Sequence, residues 1–374
     1  MPNARWSNVV PSTFQKVVAT ELSRDFAKAT QVVRVPFFTD IKPTEVIVRN
    51  MYAGVNASDI NYTAGAYRPN LQPPFDVGFE GLGQVVAVGA KVRGMDLNDF
   101  VLTQCFGTFS EYQVVPSRNA RTIPRPDVRY LPLEVSGVTA SVALEQVLDP
   151  KPGETALVTA AAGGTGQFAV QLLKRQYGCK VIATCSSDTK AEYLRSLGAD
   201  RVVNYKKEDL DAVLTNECRN GLNVVYESVG GRMFDLGVKH LATRGRLGVI
   251  GNITGYRSGA SFGEAPASNA NDHLAAADDA RAAAAGEGEA RTGFRPGSPI
   301  GSSLLWRSAS VRGFFLPHFA KHIGPHFSAL QAMVDGGALH SEIDPAVFNG
   351  VGSAAAAVEH LLSGNSIGKV VVRL

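Results

Sequence analysis

"VTAAAGGTGQFAVQLLK", residues 158–174, decides the fold. It holds the end of an apolar strand, a run of small residues and then an amphipathic stretch. A strand, a tight turn and a helix start in that order form an anion site. Amide N–H groups and the positive end of the helix dipole point at whatever sits there. Gly163, Gly164 and Gly166 let the backbone approach a pyrophosphate, and Thr165 adds a hydroxyl donor. By themselves the glycines are a weak signal, since close packing at a helix start also uses them. Their setting makes them specific.

That setting is a repeat. "GETALVTA" leads into a helical stretch over 167–177, followed by "CKVIATC", helical 188–197 and "ADRVVNY". "LNVVYESVG", helical 231–242, "GRLGVIG" and the strand-like "SASVRGFFL" (308–316) continue it. Apolar strands of about five residues alternating with helices predict a parallel sheet covered on both faces. The expected fold class is therefore α/β, a Rossmann doubly wound sheet that binds a dinucleotide at the glycine turn. The first third differs: "TEVIVRNMYAGVN" (44–56), "GLGQVVAVGAKV" (81–92) and "GTFSEYQVVP" (107–116) are strand-like and punctuated by Gly and Pro. The closing "AAAAVEHLLSGNSIGKVVVRL" predicts a helix, a turn and a strand that returns to this first domain. The expected division is 1–136 with 325–374 as a mostly-β domain and 137–324 as the dinucleotide-binding domain. Residues 257–301, rich in Ala, Gly and small polar residues, read as a surface insertion in the latter.

The dinucleotide is decided about 20 residues on, at the end of the second strand, where an NAD site places Asp or Glu for the ribose 2′-hydroxyl. Here the strand runs into "CSSDTK" (185–190), with Cys185 at the diagnostic position. No carboxylate repels a 2′-phosphate there. Ser186 can donate to one, Lys190 can reach back as a cation, and Tyr205 stands at the end of the next strand. NADP(H) is the expected cofactor; Asp188 argues the other way if a displaced turn brings it to the ribose, and otherwise caps the following helix.

Composition excludes other classes. A chain of 374 residues, 45% hydrophobic and with a net charge of +3, lacks the clustered basic charge that nucleic acid or an anionic membrane demands. No apolar run approaches the roughly 20 residues of a membrane span. The amino-terminal sequence lacks a signal pattern and the carboxyl end lacks the usual peroxisomal one, so a cytoplasmic protein is expected. Cys105, Cys179, Cys185 and Cys218 lie far apart and read as reduced thiols.

"GVNASDINY" (54–62), "GFEGLGQVVAVG" (78–89), the glycine turn, "CSSDTK" and "YESVGG" (226–231) resemble the medium-chain dehydrogenase/reductase superfamily. Within it the chain is similar to the zinc-independent prostaglandin reductases, the prostaglandin reductase 3 group above all, and to quinone oxidoreductases. The resemblance covers nearly the whole chain apart from 257–301. It implies a GroES-like fold for the mostly-β catalytic domain, a homodimer built on an edge strand such as 308–316, and leaves a peroxisomal location open. Zinc members of the superfamily carry Cys where this chain has Asn56 and His where it has Phe79. Neither residue here is a good zinc ligand, so no metal is expected. Glu80 reads as a structural partner. His318, His322 and His326 have helical spacing, but Gly324 and Pro325 are expected to interrupt that helix.

Without zinc, reduction of an isolated ketone lacks its electrophile. A conjugated enone or a quinone spreads the arriving charge, and one or two hydrogen-bond donors suffice. The expected substrate is a small hydrophobic enone, 15-oxo-prostaglandins being implied by the resemblance, or else a quinone. Tyr256, in "GNITGY", is the candidate catalytic donor, since the prostaglandin reductases carry a Tyr in a similar segment. The resemblance also implies cofactor contacts from Thr165, Ser186, Lys190, Tyr205, Ser228, Ile250, Tyr256 and the strand residues Phe314, Phe315 and Leu316. Asn365 and Ser366 in "GNSIGK" stand where the family has G-x-N-x-G-K, with Ser366 in the Asn column. Tyr52, Asn56, Tyr62 and Tyr67 are candidates for the substrate side, although each tyrosine also fits an aromatic packed in a strand or turn.

Overall fold

A computed structural model of the chain describes residues 4–7, 10–68, 70–258 and 299–374. The chain divides into two compact units: Met1–Ala140, Gly163–Phe168 and Lys321–Leu374 form the first, and Ser141–Ala162 with Ala169–Ala320 form the second. Most of the 257–301 insertion lies outside the described residues.

The first unit is built on antiparallel strands. Val371–Arg373, Glu45–Gly54, Glu80–Val88, Phe100–Gln104 and Ala120–Ile123 lie side by side in that order. Arg5–Trp6 adds to Glu80–Val88, and Tyr112–Pro116 to Glu45–Gly54. The last strand does return to this unit, with Val372 opposite Ala53. β-branched residues on alternate positions of these strands pack together, Val46, Val48, Val85, Val88, Val101 and Val115 forming one core cluster. A second cluster gathers Phe26, Ile60, Tyr62 and Phe109 with Val370 and Val372.

The second unit is a parallel sheet. Its strands are β1 (Thr155–Val158), β2 (Lys180–Cys185), β3 (Arg201–Asn204), β4 (Leu222–Glu227), β5 (Leu241–Val249) and β6 (Ser310–Gly313). They are ordered β3-β2-β1-β4-β5-β6, the doubly wound order of a Rossmann sheet. Crossover helices α1 (Gly166–Arg175), α2 (Asp188–Ser196), α3 (Leu210–Glu217) and α4 (Gly231–Lys239) connect the first five strands. Apolar residues from both sources, Leu157, Ile182, Val225 and Leu247 from strands and Leu214, Met233 and Leu236 from helices, share one core cluster.

Four local expectations are corrected. Helix α4 ends at Lys239 rather than 242, because Leu241 and Ala242 are drawn into β5, Leu241 opposite Leu222. The strand expected over 308–316 is only Ser310–Gly313: Leu316 opens a 3-10 turn, Leu316–Phe319, with Pro317 in its first positions. Ser187 caps α2, its hydroxyl accepting from Lys190 N at 3.3 Å, and Asp188 sits in the first turn instead. Finally, Ala320–Asp335 is one continuous helix with Pro325 inside it, so the chain is not interrupted before His326.

Candidate active site

Parallel strands all end on one edge, and in the second unit that edge gathers most of the predicted cofactor residues. Ser186 follows β2 directly. Tyr205 follows β3 and its amide donates to the Cys185 carbonyl at 3.1 Å, so the two strand ends are held together. Lys190 lies in the first turn of α2, which follows β2, and is 9% exposed. Asp188 is turned away: its carboxylate accepts from Asn204 Nδ2 at 3.1 Å and pairs with Lys207, and both bonds hold its pKa below the usual range. Next along the edge, Ser228 has a buried hydroxyl oxygen with no partner. A buried orphan hydroxyl costs free energy unless something arrives to pair with it.

The loop after β5 returns over this edge. Ile250 N donates to the Glu227 carbonyl at 2.7 Å. Tyr256, in the short helix Ile253–Ser258, folds back so that its phenol oxygen accepts from Asn252 N at 3.3 Å. A bond donated into that oxygen stabilises negative charge developing on it, which makes the phenol a better proton donor. Phe314 N donates to the Val249 carbonyl at 3.1 Å, placing the chain after β6 on the same edge. Phe314 stacks on Phe319, and Phe315 is 47% exposed.

One side chain that sequence reasoning passed over organises all of this. Glu227, fully buried, accepts from Val229 N at 2.8 Å, Gly230 N at 3.0 Å and Thr159 Oγ1 at 3.2 Å. Thr159 Oγ1 in turn accepts from Ser228 N at 2.9 Å. These bonds tie the end of β1, where the glycine turn begins, to the turn carrying Ser228. Every partner is a neutral donor, and burial raises the carboxyl pKa from 4.5 to about 7.

The glycine turn itself, Gly163–Phe168, packs within the first unit. Gly163 bridges Gly368, while the buried Gln167 donates to the Glu342 carbonyl at 3.1 Å and accepts from its amide at 2.8 Å. Asn365 is exposed and Ser366 half-buried in the turn just before Gly368.

On the substrate side, the structure places the four candidates differently. Tyr62 is 4% exposed, stacked on Phe106 with ring centroids 3.6 Å apart. Tyr67 is 42% exposed and accepts from Asn61 Nδ2 at 3.3 Å. Tyr52 lies half-buried on its strand, opposite Leu82 and Arg373. Asn56 belongs to a buried charged cluster. Its Oδ1 accepts from Lys369 Nζ at 2.7 Å and its Nδ2 donates to Glu80 Oε2 at 3.2 Å. Lys369 and Glu80 pair at 2.5 Å, with side chains 2% and 0% exposed. Glu80 is thus the structural partner the sequence suggested. Asp59 completes the group by accepting from Asn56 N at 2.9 Å, and burial raises its pKa from 3.8 to about 7.

This donor set does not fit zinc. The amide at 56 is taken up by an ammonium and a carboxylate, and position 79 is a phenylalanine packed 4.9 Å from the Phe106 ring. Among the described residues no group of three or more His, Cys, Asp or Glu is gathered to hold a metal ion. His322 and His326 meet edge to face on their helix with ring centroids 6.2 Å apart, while His318 lies in the preceding 3-10 turn against Phe315. No helix among the described residues is long and apolar enough to cross a membrane.

Comparison with known proteins agrees with this architecture. Residues 42–127 match the alcohol dehydrogenase GroES-like domain, and residues 164–271 match the zinc-binding dehydrogenase domain. A probable quinone oxidoreductase of Leishmania amazonensis is 42% identical across 97% of this chain and 99% of its own. Prostaglandin reductase-3 of Mus musculus is 42% identical across 98% of this chain and 91% of its own. The crystal structure of Escherichia coli quinone oxidoreductase complexed with NADPH superposes with a TM-score of 0.75 at 23% identity, over 96% of this chain and 100% of that one, and so shares the fold. The chain is therefore an oxidoreductase and belongs to the medium-chain dehydrogenase/reductase superfamily, with prostaglandin reductase-3 and quinone oxidoreductases among its relatives.

Proposed function

We propose that the protein is an NADPH-dependent reductase of activated C=C bonds, acting on enones of the 15-oxo-prostaglandin type. The observation that carries this reading is the fate of positions 56 and 79. The side chains there are committed to Lys369, Glu80 and Phe106, so the site offers no ligand set for the Lewis acid that an isolated ketone requires. An enone spreads the added charge along its own conjugation, and hydrogen-bond donors are then enough.

The residues fit NADPH. Gly163, Gly164, Thr165 and Gly166 would take the pyrophosphate. Ser186, Lys190 and Tyr205 would take the 2′-phosphate, Asp188 being withdrawn to Lys207 and Asn204. Ser228, with its orphan hydroxyl, Ile250, Tyr256, Phe314, Phe315 and Leu316 would hold the nicotinamide end, and Asn365 and Ser366 precede Gly368, which bridges Gly163 of the glycine turn. When bound, NADPH supplies a hydride to the β-carbon of the substrate. Tyr256 donates to the substrate oxygen, with the Asn252 amide supporting its phenol oxygen. Tyr52, Asn56, Tyr62 and Tyr67 form the substrate side, Asn56 and Tyr62 as its framework rather than as contacts.

The runner-up is NADPH:quinone reduction on the same residues, supported by the relatives that carry that name. NADPH oxidation measured on a 15-oxo-prostaglandin, a simple enone and several quinones ranks the two readings; turnover of quinones alone overturns the first. Strand β6 is the outer strand of its sheet, and Leu305 and Trp306 just before it are 71% and 84% exposed, which supports a homodimer formed along this edge. A monomer by sedimentation at micromolar concentration would exclude it.

A further inference from the structure

A fully buried lysine needs a reason. Taking an ammonium and a carboxylate out of water costs several kcal/mol per ion, and replacing such a pair by neutral residues is often neutral or stabilising. Lys369 and Glu80 are therefore a poor device for stability alone.

What the ammonium touches suggests the reason. Its three hydrogens meet three oxygens: Glu80 Oε2 at 2.5 Å, Asn56 Oδ1 at 2.7 Å and Ser136 Oγ at 3.5 Å. These come from three separate segments: the strand Glu80–Val88, the turn after the strand Glu45–Gly54, and the turn Leu133–Gly137. The aliphatic stem lies against a fourth. A Cβ placed on Gly164 would stand 3.4 Å from Lys369 Cδ and 3.3 Å from Ser136 Oγ, so the glycine turn passes close to this side chain. Close packing is built in on the other side as well: a Cβ on Gly54 would stand 2.4 Å from Glu80 Oε2 and 3.0 Å from Lys369 Cε. An amide held at Oδ1 by a cation and at Nδ2 by a carboxylate has one orientation, because turning it over would set an N–H against the ammonium.

We propose that Lys369 is a positioning residue, a fixed internal cation that locks the Asn56 amide and holds the 54–59 turn in one arrangement. The proposal rests on the reading that the 54–59 turn serves the substrate side, and extends it to a residue that touches no substrate.

The test compares Lys369→Met, Glu80→Gln and the double variant Lys369→Met/Glu80→Gln. The single Lys369→Met variant strands Glu80 and loses thermal stability; the double variant, with both charges gone, recovers most of it. In the double variant kcat on the better of the enone and quinone substrates still falls at least tenfold, while the Kd for NADPH, followed by fluorescence, stays within about twofold. The side-chain amide signal of Asn56, in protein labelled at asparagine nitrogen, is single and slowly exchanging in the parent and broadened in the double variant. Full recovery of both kcat and the Asn56 signal in the double variant would reduce Lys369 to an ordinary structural pair and overturn the proposal. A loss of NADPH affinity matching the loss in kcat would overturn it too, by making Lys369 a direct cofactor contact. The amide signal is read on the free protein, so it judges Lys369 even if no enone or quinone is turned over.

Discussion

Glu80 and Glu227 are both completely buried, yet the molecule keeps them in opposite ways. Glu80 sits in the antiparallel unit against an ammonium, with one oxygen on Lys369 and Asn56 and the other without a partner. Glu227 sits at the edge of the parallel sheet against neutral donors only, two backbone amides and a threonine hydroxyl. A cation compensates a charge outright; fixed dipoles compensate it in part, and the carboxyl answers by moving its pKa up to about 7. The first arrangement fixes geometry through an ion pair and the amide held between its two charges. The second leaves a group that changes charge near neutrality, close to the orphan hydroxyl of Ser228.

The comparison breaks most readily at Gly54. Gly54→Ala forces a methyl to within 2.4 Å of Glu80 Oε2, and the ion pair cannot yield without leaving a charge unpaired. Breaking a buried pair costs about 3–5 kcal/mol, so the expected outcome is a large fall in denaturant midpoint or no folded protein. A midpoint unchanged from the parent would mean that the pair is loosely held.

Glu227→Gln sharpens the contrast through pH. The folded carboxyl has the higher pKa, about 7 against 4.5, so the folded state binds more protons across that interval. Its contribution is present below about pH 4.5 and is lost as pH rises through about 7. The shift is worth on the order of 3 kcal/mol. Subtracting the stability–pH curve of the variant from that of the parent should leave this decline and little else. Asp59, shifted in the same direction, remains in both proteins and cancels. A flat difference curve would show that Glu227 titrates as an ordinary carboxyl.

Tyr256→Phe tests what the Glu227 side of the molecule is for. Removing one donor to a developing oxyanion costs about 10²-fold or more in kcat. We expect that loss with NADPH affinity changed far less, and equal small effects on both would reject the tyrosine as donor. The smallest effect belongs to Lys190, 9% exposed in the first turn of α2. Lys190→Ala should lower the preference for NADPH over NADH about tenfold, as for one charge-assisted hydrogen bond; competitive binding of the two cofactors measures it.

The parallel sheet was the most legible part of the chain. Apolar strands, helical spacing and the glycine turn are local patterns, and the strand order they imply is the one found. Legibility failed where neighbours overrode local preference. Leu241 and Ala242 continue a helical pattern but pair as strand beside β4, and Pro325 is tolerated inside a helix that its packed residues Phe327, Leu330 and Val334 keep together. Ser187 rather than Asp188 became the cap because Asp188 found a lysine and an asparagine on the next strand's end.

Sequence alone determined the doubly wound sheet, the glycine turn, the missing carboxylate after β2 and the presence at 56 and 79 of residues that are poor zinc ligands. Each is written in residues close together along the chain, or in a residue type that cannot do a given chemistry. Only the tertiary structure decided that Lys369 joins Asn56 and Glu80, and that Glu227 binds the turn of Ser228 to Thr159. Those partners stand tens to hundreds of positions apart, and nothing in the type of a lysine or a glutamate says whether water or another buried group will answer its charge. Burial settles that, and burial exists only once the chain has folded.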